Sequence, residues 1–320
     1  MRCACCSEFV YGLVDAKGDW PFMKKLSLLL ALLLPLLCVL PASAQTEVDF
    51  KRTEDVIYGR KFGVALTLDV VQPVKTNNGH AIIFMVSGGW FSSHEGVNPK
   101  YYAPFLDRGY TVFAVVHGSQ PKFTIPEITQ DIHRAVRFIR HNAAKWGVDP
   151  DHFGITGGSA GGHLSVTMGT QGRPGKPDAK DPIDRESSAV QAVACFYPPT
   201  DFLNYGAAGE DAVGVGILKD HKAAFGPASD TPEGRQKLGK EISPIYFITA
   251  QMPPTLIIHG DADKRVPMQQ TESFVKRATE AGAKAKLIVK PGEGHGWKNR
   301  EPDLNAMADW FDEYLRGVKK

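Results

Sequence analysis

Short, unbroken apolar runs alternating with helix-length amphipathic stretches limit what this chain can fold into. Ala81–Val86 and Thr111–Val116 are apolar almost throughout. Phe153–Thr156, Val190–Phe196, Pro254–Ile258 and Ala285–Val289 repeat the pattern. Runs of this length suit strands buried on both faces, which occur in parallel sheets covered by helices. Val64–Val71 differs: its apolar and polar residues alternate, as a half-buried antiparallel strand requires. Between the runs, Ile128, Ile132, Ala135, Val136, Ile139 and Ala143 recur at helical spacing. Arg134, Arg137, His141 and Lys145 lie mostly opposite. Pro126 suits the first turn of that helix and Gly147 its stop. A second helix is marked by Met268, Phe274, Val275, Ala278 and Ala281 and ended by Gly282. A third carries Leu304, Met307, Phe311, Tyr314 and Leu315. Strand–helix alternation of this kind predicts a mostly parallel sheet with helices on both faces. Two segments, Gln171–Ser188 and Thr200–Ala250, lack sustained periodicity. The first reads as a surface loop, the second as an insertion over the sheet that forms part of a lid.

The amino terminus reads as a targeting segment outside the fold. Lys24 and Lys25 precede the apolar run Leu26–Leu40, and Ala42-Ser43-Ala44 follows. A basic start, a short apolar run and small residues at −3 and −1 predict export with cleavage after Ala44. Residues 1–44 are then removed, and 45–320 form one domain with a lid-type insertion at about 200–250. Met23 stands where such a signal begins, so Met1–Pro21 reads as an upstream extension. The apolar run is shorter than the roughly 20 residues of a membrane span. An uncleaved anchor and a lipid on Cys38 are the competing readings, and Leu37 before that cysteine is bulky for a lipidation signal. No stable membrane anchor is expected, and the mature chain is placed outside the cytoplasm, secreted or periplasmic. Of five cysteines only Cys195 lies beyond the signal, which excludes an internal disulfide and leaves a buried strand thiol. A net charge of +2 gives no reason to expect a nucleic-acid partner.

Chemistry enters at Gly157-Gly158-Ser159-Ala160-Gly161, a G-x-S-x-G pattern between a strand and a helix of about 162–169. A serine on so sharp a turn needs strained backbone angles, and glycines on either side remove side chains that would collide. A glycine-rich helix start that binds phosphate is the competing reading. A serine hydroxyl needs a base, and the base needs an orienting carboxylate. Both follow later strands. His259-Gly260-Asp261-Ala262-Asp263 comes after Pro254–Ile258, and Gly294-His295-Gly296 after Ala285–Val289. His295 is the expected base. Asp263 is the expected acid, and Asp261, nearer the strand end, suits turn hydrogen bonds. His163 reads as a packing residue and His259 as a structural loop residue. No histidine shows metal-ligand spacing. Backbone N–H donors for a tetrahedral oxyanion are expected from Ala160 and from Gly88, Gly89 and Trp90. The alternative is that Gly88-Gly89 merely turns the chain.

These segments resemble the α/β-hydrolase esterases, in particular the hormone-sensitive-lipase-like and feruloyl-esterase-like carboxylesterases. The resemblance runs from about Val56 to Leu315. Gly157–Leu164 matches the family's nucleophile segment. His259–Pro267 matches its His-Gly-x-x-Asp-x-x-Val-Pro segment with Asp263 on the catalytic aspartate, and Gly294–Gly296 matches its base segment. Val86 and Ser87 stand where the family's oxyanion segment begins His-Gly, and His117-Gly118 replaces a Tyr-Arg pair. The resemblance implies an eight-stranded α/β-hydrolase sheet with a small lid. It also implies a serine esterase that needs no cofactor or metal and acts through an acyl-enzyme. Small or short-chain esters, including acetyl or feruloyl esters of polysaccharide, are the substrates it suggests. The rival readings are a prolyl-oligopeptidase-like peptidase, for whose usual propeller the chain is too short, and a non-catalytic binding protein of the same fold. Acyl and alcohol specificity and oligomeric state are not legible in the sequence.

Overall fold

In the computed structural model, which describes residues 49–319, eight strands form one sheet in the order β1-β2-β4-β3-β5-β6-β7-β8. They are β1 (Phe50–Lys61), β2 (Val64–Pro73), β3 (Ala81–Val86), β4 (Thr111–Val116), β5 (Phe153–Thr156), β6 (Ala192–Phe196), β7 (Thr255–Gly260) and β8 (Ala285–Lys290). β1 and β2 pair antiparallel, β2 joins β4 antiparallel, and every later pairing is parallel. The helices are α1 (Ala103–Leu106), α2 (Ile125–His141), α3 (Ala160–Gln171), α4 (Lys222–Phe225), α5 (Pro232–Ile242), α6 (Gln269–Glu280) and α7 (Glu301–Arg316). The eight-stranded, mostly parallel sheet expected from the sequence is the sheet observed. The expected export segment and the cleavage expected after Ala44 fall outside the described residues.

Adjacent residues of the apolar strands feed opposite cores, which explains why these runs cannot alternate with polar residues. In β3, Ile83 and Met85 join a core under α2, α3 and α6 that holds Ile128, Leu164 and Phe274. Ile82 and Val86 join the opposite core, with Phe105 of α1 and Met307 and Phe311 of α7. α2 starts with a capping box: Thr124 and Glu127 satisfy each other's backbone N–H groups, with Pro126 in the first turn. A short 3-10 turn follows it, and Gly147 ends that turn at φ +63°. β1 has no counterpart among the apolar runs because it is an edge strand whose residues are mostly exposed. α3 begins directly after Ser159 and runs to Gln171, longer at both ends than the sequence suggests. The segment read as a lid holds α4, α5 and several 3-10 turns, with Phe202, Phe225, Leu238 and Ile242 buried in the first core.

Candidate active site

The turn that carries Ser159 shows why its glycines are needed. Ser159 stands at φ +55°, ψ −120°, outside the regions open to ordinary residues. Its N–H donates to Phe196 O at 3.1 Å, which ties the turn to the end of β6. A Cβ on Gly157 would meet the Gly161 carbonyl carbon at 2.7 Å, and one on Gly162 would meet Phe196 O at 2.6 Å. Larger residues would push the serine off the sheet edge.

His295 and Asp263 reach Ser159 from the ends of β8 and β7. His295 Nε2 lies 2.9 Å from Ser159 Oγ, and His295 Nδ1 lies 2.7 Å from Asp263 Oδ2. A carboxylate accepts, so Nδ1 carries the proton and Nε2 is left to accept from the serine hydroxyl. Burial acts to raise the Asp263 pKa. Hydrogen bonds from His259, from His295 and from the backbone N–H groups of Val266 and Arg265 outweigh it and hold the carboxyl well below the usual carboxylate range. Asp261 is exposed and accepts from Gly292 N at 2.6 Å, bracing the loop that carries His295. Gly260 is required where these loops meet, since a side chain there would enter the Glu293 carbonyl. The structure therefore brings Ser159, His295 and Asp263 together and leaves Asp261 outside.

Two expectations need correction. His259 is not a loop residue but the fully buried penultimate residue of β7, with Nε2 3.3 Å from Asp263 Oδ2 and Nδ1 2.6 Å from Thr271 Oγ1. Gly88 lines the cavity, but its N–H is engaged by Phe91 O at 3.0 Å in a small reverse bridge and is not a free donor. Among the described residues, the N–H groups of Gly89 and Trp90 make no hydrogen bond. That of Ala160, first in α3, has no partner within the helix.

The loop bearing Gly89 is pinned from several directions. Gln120 donates its side-chain amide to Gly89 O and its backbone N–H to Trp90 O. Trp90 is buried at φ +62°, and its indole N–H donates to His163 Nδ1 at 3.3 Å. His163 Nε2 donates to Ile242 O at 2.7 Å, so this imidazole ties α3 to α5. Burial drives its pKa down to about 4 and keeps it neutral. His117 is likewise buried and its pKa is lowered to about 4. His117 Nδ1 faces Gly118 O at 2.7 Å and must donate, so Nε2 accepts from Ser87 Oγ at 2.8 Å. The Val86-Ser87 departure is thus matched by His117, a pairing that no sequence pattern announced.

A cavity of about 710 Å³ opens over Ser159 and His295. Sequence reasoning missed Tyr197, Arg265 and Arg300 in its wall. Tyr197 follows β6 at φ +33° and packs against the His295 ring, with centroids 4.5 Å apart. Outside the cavity lining, Asp55, Asp69 and His94 approach one another closely enough to suggest a cation. The Arg52 guanidinium already occupies Asp69 at 2.5 Å and supplies the positive charge. No helix among the described residues is long and apolar enough to cross a membrane.

Residues 68–278 match the BD-FAE family model. Esterase LipQ of Mycobacterium tuberculosis is 30% identical over 206 residues, a match covering 63% of this chain and 46% of LipQ. The chain thus spans about half the length of that relative. A truncated carbohydrate esterase from gut microbiota superposes with a TM-score of 0.70 at 29% identity, covering 85% of this chain and 99% of the other. Thermogutta terrifontis esterase 2, in a structure phosphonylated by sarin, gives a TM-score of 0.64 at 25% identity, covering 84% and 95% respectively. A strand order, a serine turn and a likeness to α/β-hydrolase esterases agree, and this chain belongs to the BD-FAE family.

Proposed function

We propose that this chain is an exported serine carboxylic ester hydrolase acting on small or short-chain esters, acetyl or feruloyl esters of carbohydrate among them. The observation that carries the reading is the unbroken contact from Ser159 Oγ through His295 to Asp263, at 2.9 Å and 2.7 Å, with Ser159 and His295 lining an open cavity and Asp263 buried behind them. In the first half-reaction Ser159 Oγ attacks the ester carbonyl carbon as His295 Nε2 takes its proton. The tetrahedral oxyanion is held by the free N–H groups of Ala160 and Gly89. A donor of this kind contributes roughly 10²–10³ in rate. The intermediate collapses, the alcohol leaves with the proton from Nε2, and an acyl-serine remains. Water then attacks the acyl carbon while Nε2 takes its proton. The second intermediate releases the acid and returns the proton to Ser159. Throughout, ionised Asp263 stabilises the imidazolium and fixes its tautomer.

The carbohydrate esterase among the structural relatives and the esterase name of LipQ support the ester class. The basic–apolar–small order of residues 24–44 supports export. The test uses the full-length chain, expressed in a bacterium and recovered outside the cytoplasm with Gln45 as its first residue. It hydrolyses 4-nitrophenyl acetate faster than longer acyl esters, and Ser159→Ala removes at least 10³-fold of that activity while leaving Tm within about 2 °C. Equal turnover by the variant, or a preference for aminoacyl nitroanilides, overturns the enzyme reading. A chain retained inside with its first 44 residues intact overturns export.

A further inference from the structure

The wall beside His295 carries positive charge with nothing opposite it. Arg265 and Arg300 both line the cavity over Ser159, and no aspartate or glutamate does. Neither guanidinium has a carboxylate within ion-pair distance among the described residues. Outside the cavity lining, Arg52, Arg108, Arg134, Arg235 and Arg316 are paired with aspartates, whereas Arg60, Arg137, Arg140, Arg173, Arg185 and Arg277 are not. What sets Arg265 and Arg300 apart is that their open guanidinium groups share the wall of one concave site. An arginine fork left open in a concave site is suited to a planar, bidentate anion.

Both arginines are rooted in the segments that build the acid and base. Arg265 follows Asp263 by two residues and donates its backbone N–H to that carboxylate. Its side chain is free in an exposed residue. Arg300 follows His295 by five residues and is half-buried. Its Nε donates to Trp297 O at 3.1 Å, which holds the base of the fork. The guanidinium carbon lies 5.8 Å from the Phe196 ring centroid and 5.9 Å from that of Tyr197, so two aromatic faces orient it. Gly296, at φ +94°, leaves the room it occupies, for a side chain there would collide with it. The Tyr197 hydroxyl makes no hydrogen bond among the described residues and stands beside both glycines, 3.5 Å from where a Cβ on Gly296 or on Gly158 would be. The free N–H groups of Gly89 and Ala160 belong to other segments, the loop after β3 and the start of α3.

We propose that Arg265 and Arg300 form a carboxylate-binding subsite for the alcohol portion of the substrate. The leaving oxygen must lie against His295 Nε2 to receive its proton, so the groups flanking His295 face the alcohol and not the acyl chain. The substrate class is therefore an ester of an alcohol that itself bears a carboxylate, either a small hydroxy acid or a uronic-acid-containing carbohydrate. This rests on the ester-hydrolase reading above and adds the charge of the leaving group to it.

The test compares two matched pairs at low ionic strength: 4-acetoxybenzoate against 4-acetoxybenzamide, and acetylated xylo-oligosaccharides with and without a uronic-acid branch. The expected result is a kcat/KM at least about tenfold higher for the charged member of one pair or both, carried mainly by KM. The pair that shows it identifies the small or the carbohydrate source. Added 0.5 M NaCl lowers the ratio by screening. Arg265→Gln lowers it, Arg265→Gln combined with Arg300→Gln brings it to about one, and Arg300→Lys retains part of it. Because Arg300 also packs against the base loop, Arg265→Gln and Arg300→Lys keep the test decisive if the double variant fails to fold. Equal turnover within both pairs, or a preference that survives Arg265→Gln unchanged, overturns this inference alone. Loss of turnover on all four esters and on 4-nitrophenyl acetate overturns the ester-hydrolase reading itself.

Discussion

His295, His259 and the backbone N–H groups of Arg265 and Val266 all converge on the Asp263 carboxylate, while Asp261 two residues earlier serves only a loop N–H. The two aspartates differ in environment, not chemistry. An amide at 263 would present an N–H₂ group where the imidazole needs an acceptor, or swing its oxygen away from the backbone donors. Asp263→Asn is therefore expected to lower kcat on 4-nitrophenyl acetate by about 10⁴-fold. Asp261→Asn, which keeps an oxygen for Gly292, is expected to stay within about tenfold. Steady-state kinetics of the two variants decide this, and the reverse ranking would reassign the acid. That Ser159, Asp263 and His295 would meet was legible because each sits in a short glycine-marked segment that follows a strand. The contacts of Tyr197, His259 and Arg300 were not. Tyr197 and Arg300 acquire their ring partners only when strands distant in sequence become neighbours, and nothing local to Tyr197-Pro198 or Asn299-Arg300 records that. His259 meets Asp263 and Thr271 of its own segment, but only through the way the loop after β7 closes. The Gly88 N–H was misjudged for a similar reason, because the bridge to Phe91 depends on how the loop closes.

At the scale of elements, the apolar strands and the helices α2, α6 and α7 were legible because burial imposes a period on them. β1 was not, since an exposed edge strand needs no apolar period, and neither was the interior of the segment read as a lid. That segment is fastened to α3 through His163, which bridges Trp90 and the carbonyl of Ile242. Burial lowers the His163 pKa to about 4 in the folded chain, against roughly 6.5 when unfolded. Between these values the unfolded chain binds the extra proton, so stability falls as pH drops from about 6.5 towards 4. His117 and His133, whose pKa values are also lowered by burial, to about 4 and about 3, act with the same sign. Each contributes at most about 1.4 kcal/mol per pH unit in that window. Wild-type Tm is expected to fall clearly between pH 7 and pH 5. His163→Gln, which keeps a donor and an acceptor but cannot titrate, is expected to show a smaller fall. Equal falls in the two proteins would remove His163 from this account.

Over the whole molecule, the site is a product of topology. The serine turn follows β5, the carboxylate follows β7 and the imidazole follows β8, so three separate crossovers must bring their loops to the same carboxyl edge of one sheet. The two cores on either side of the sheet supply the rigidity for this, and the glycines at 157, 162 and 260 supply the clearance. The direct measurement is peptide mapping by mass spectrometry after brief exposure to diethyl 4-nitrophenyl phosphate, with and without His295→Ala. The account predicts one diethylphosphoryl group, on Ser159, formed rapidly in the wild-type chain and at least 10²-fold more slowly in the variant. A modified residue other than Ser159, or an equal rate in both proteins, would contradict it.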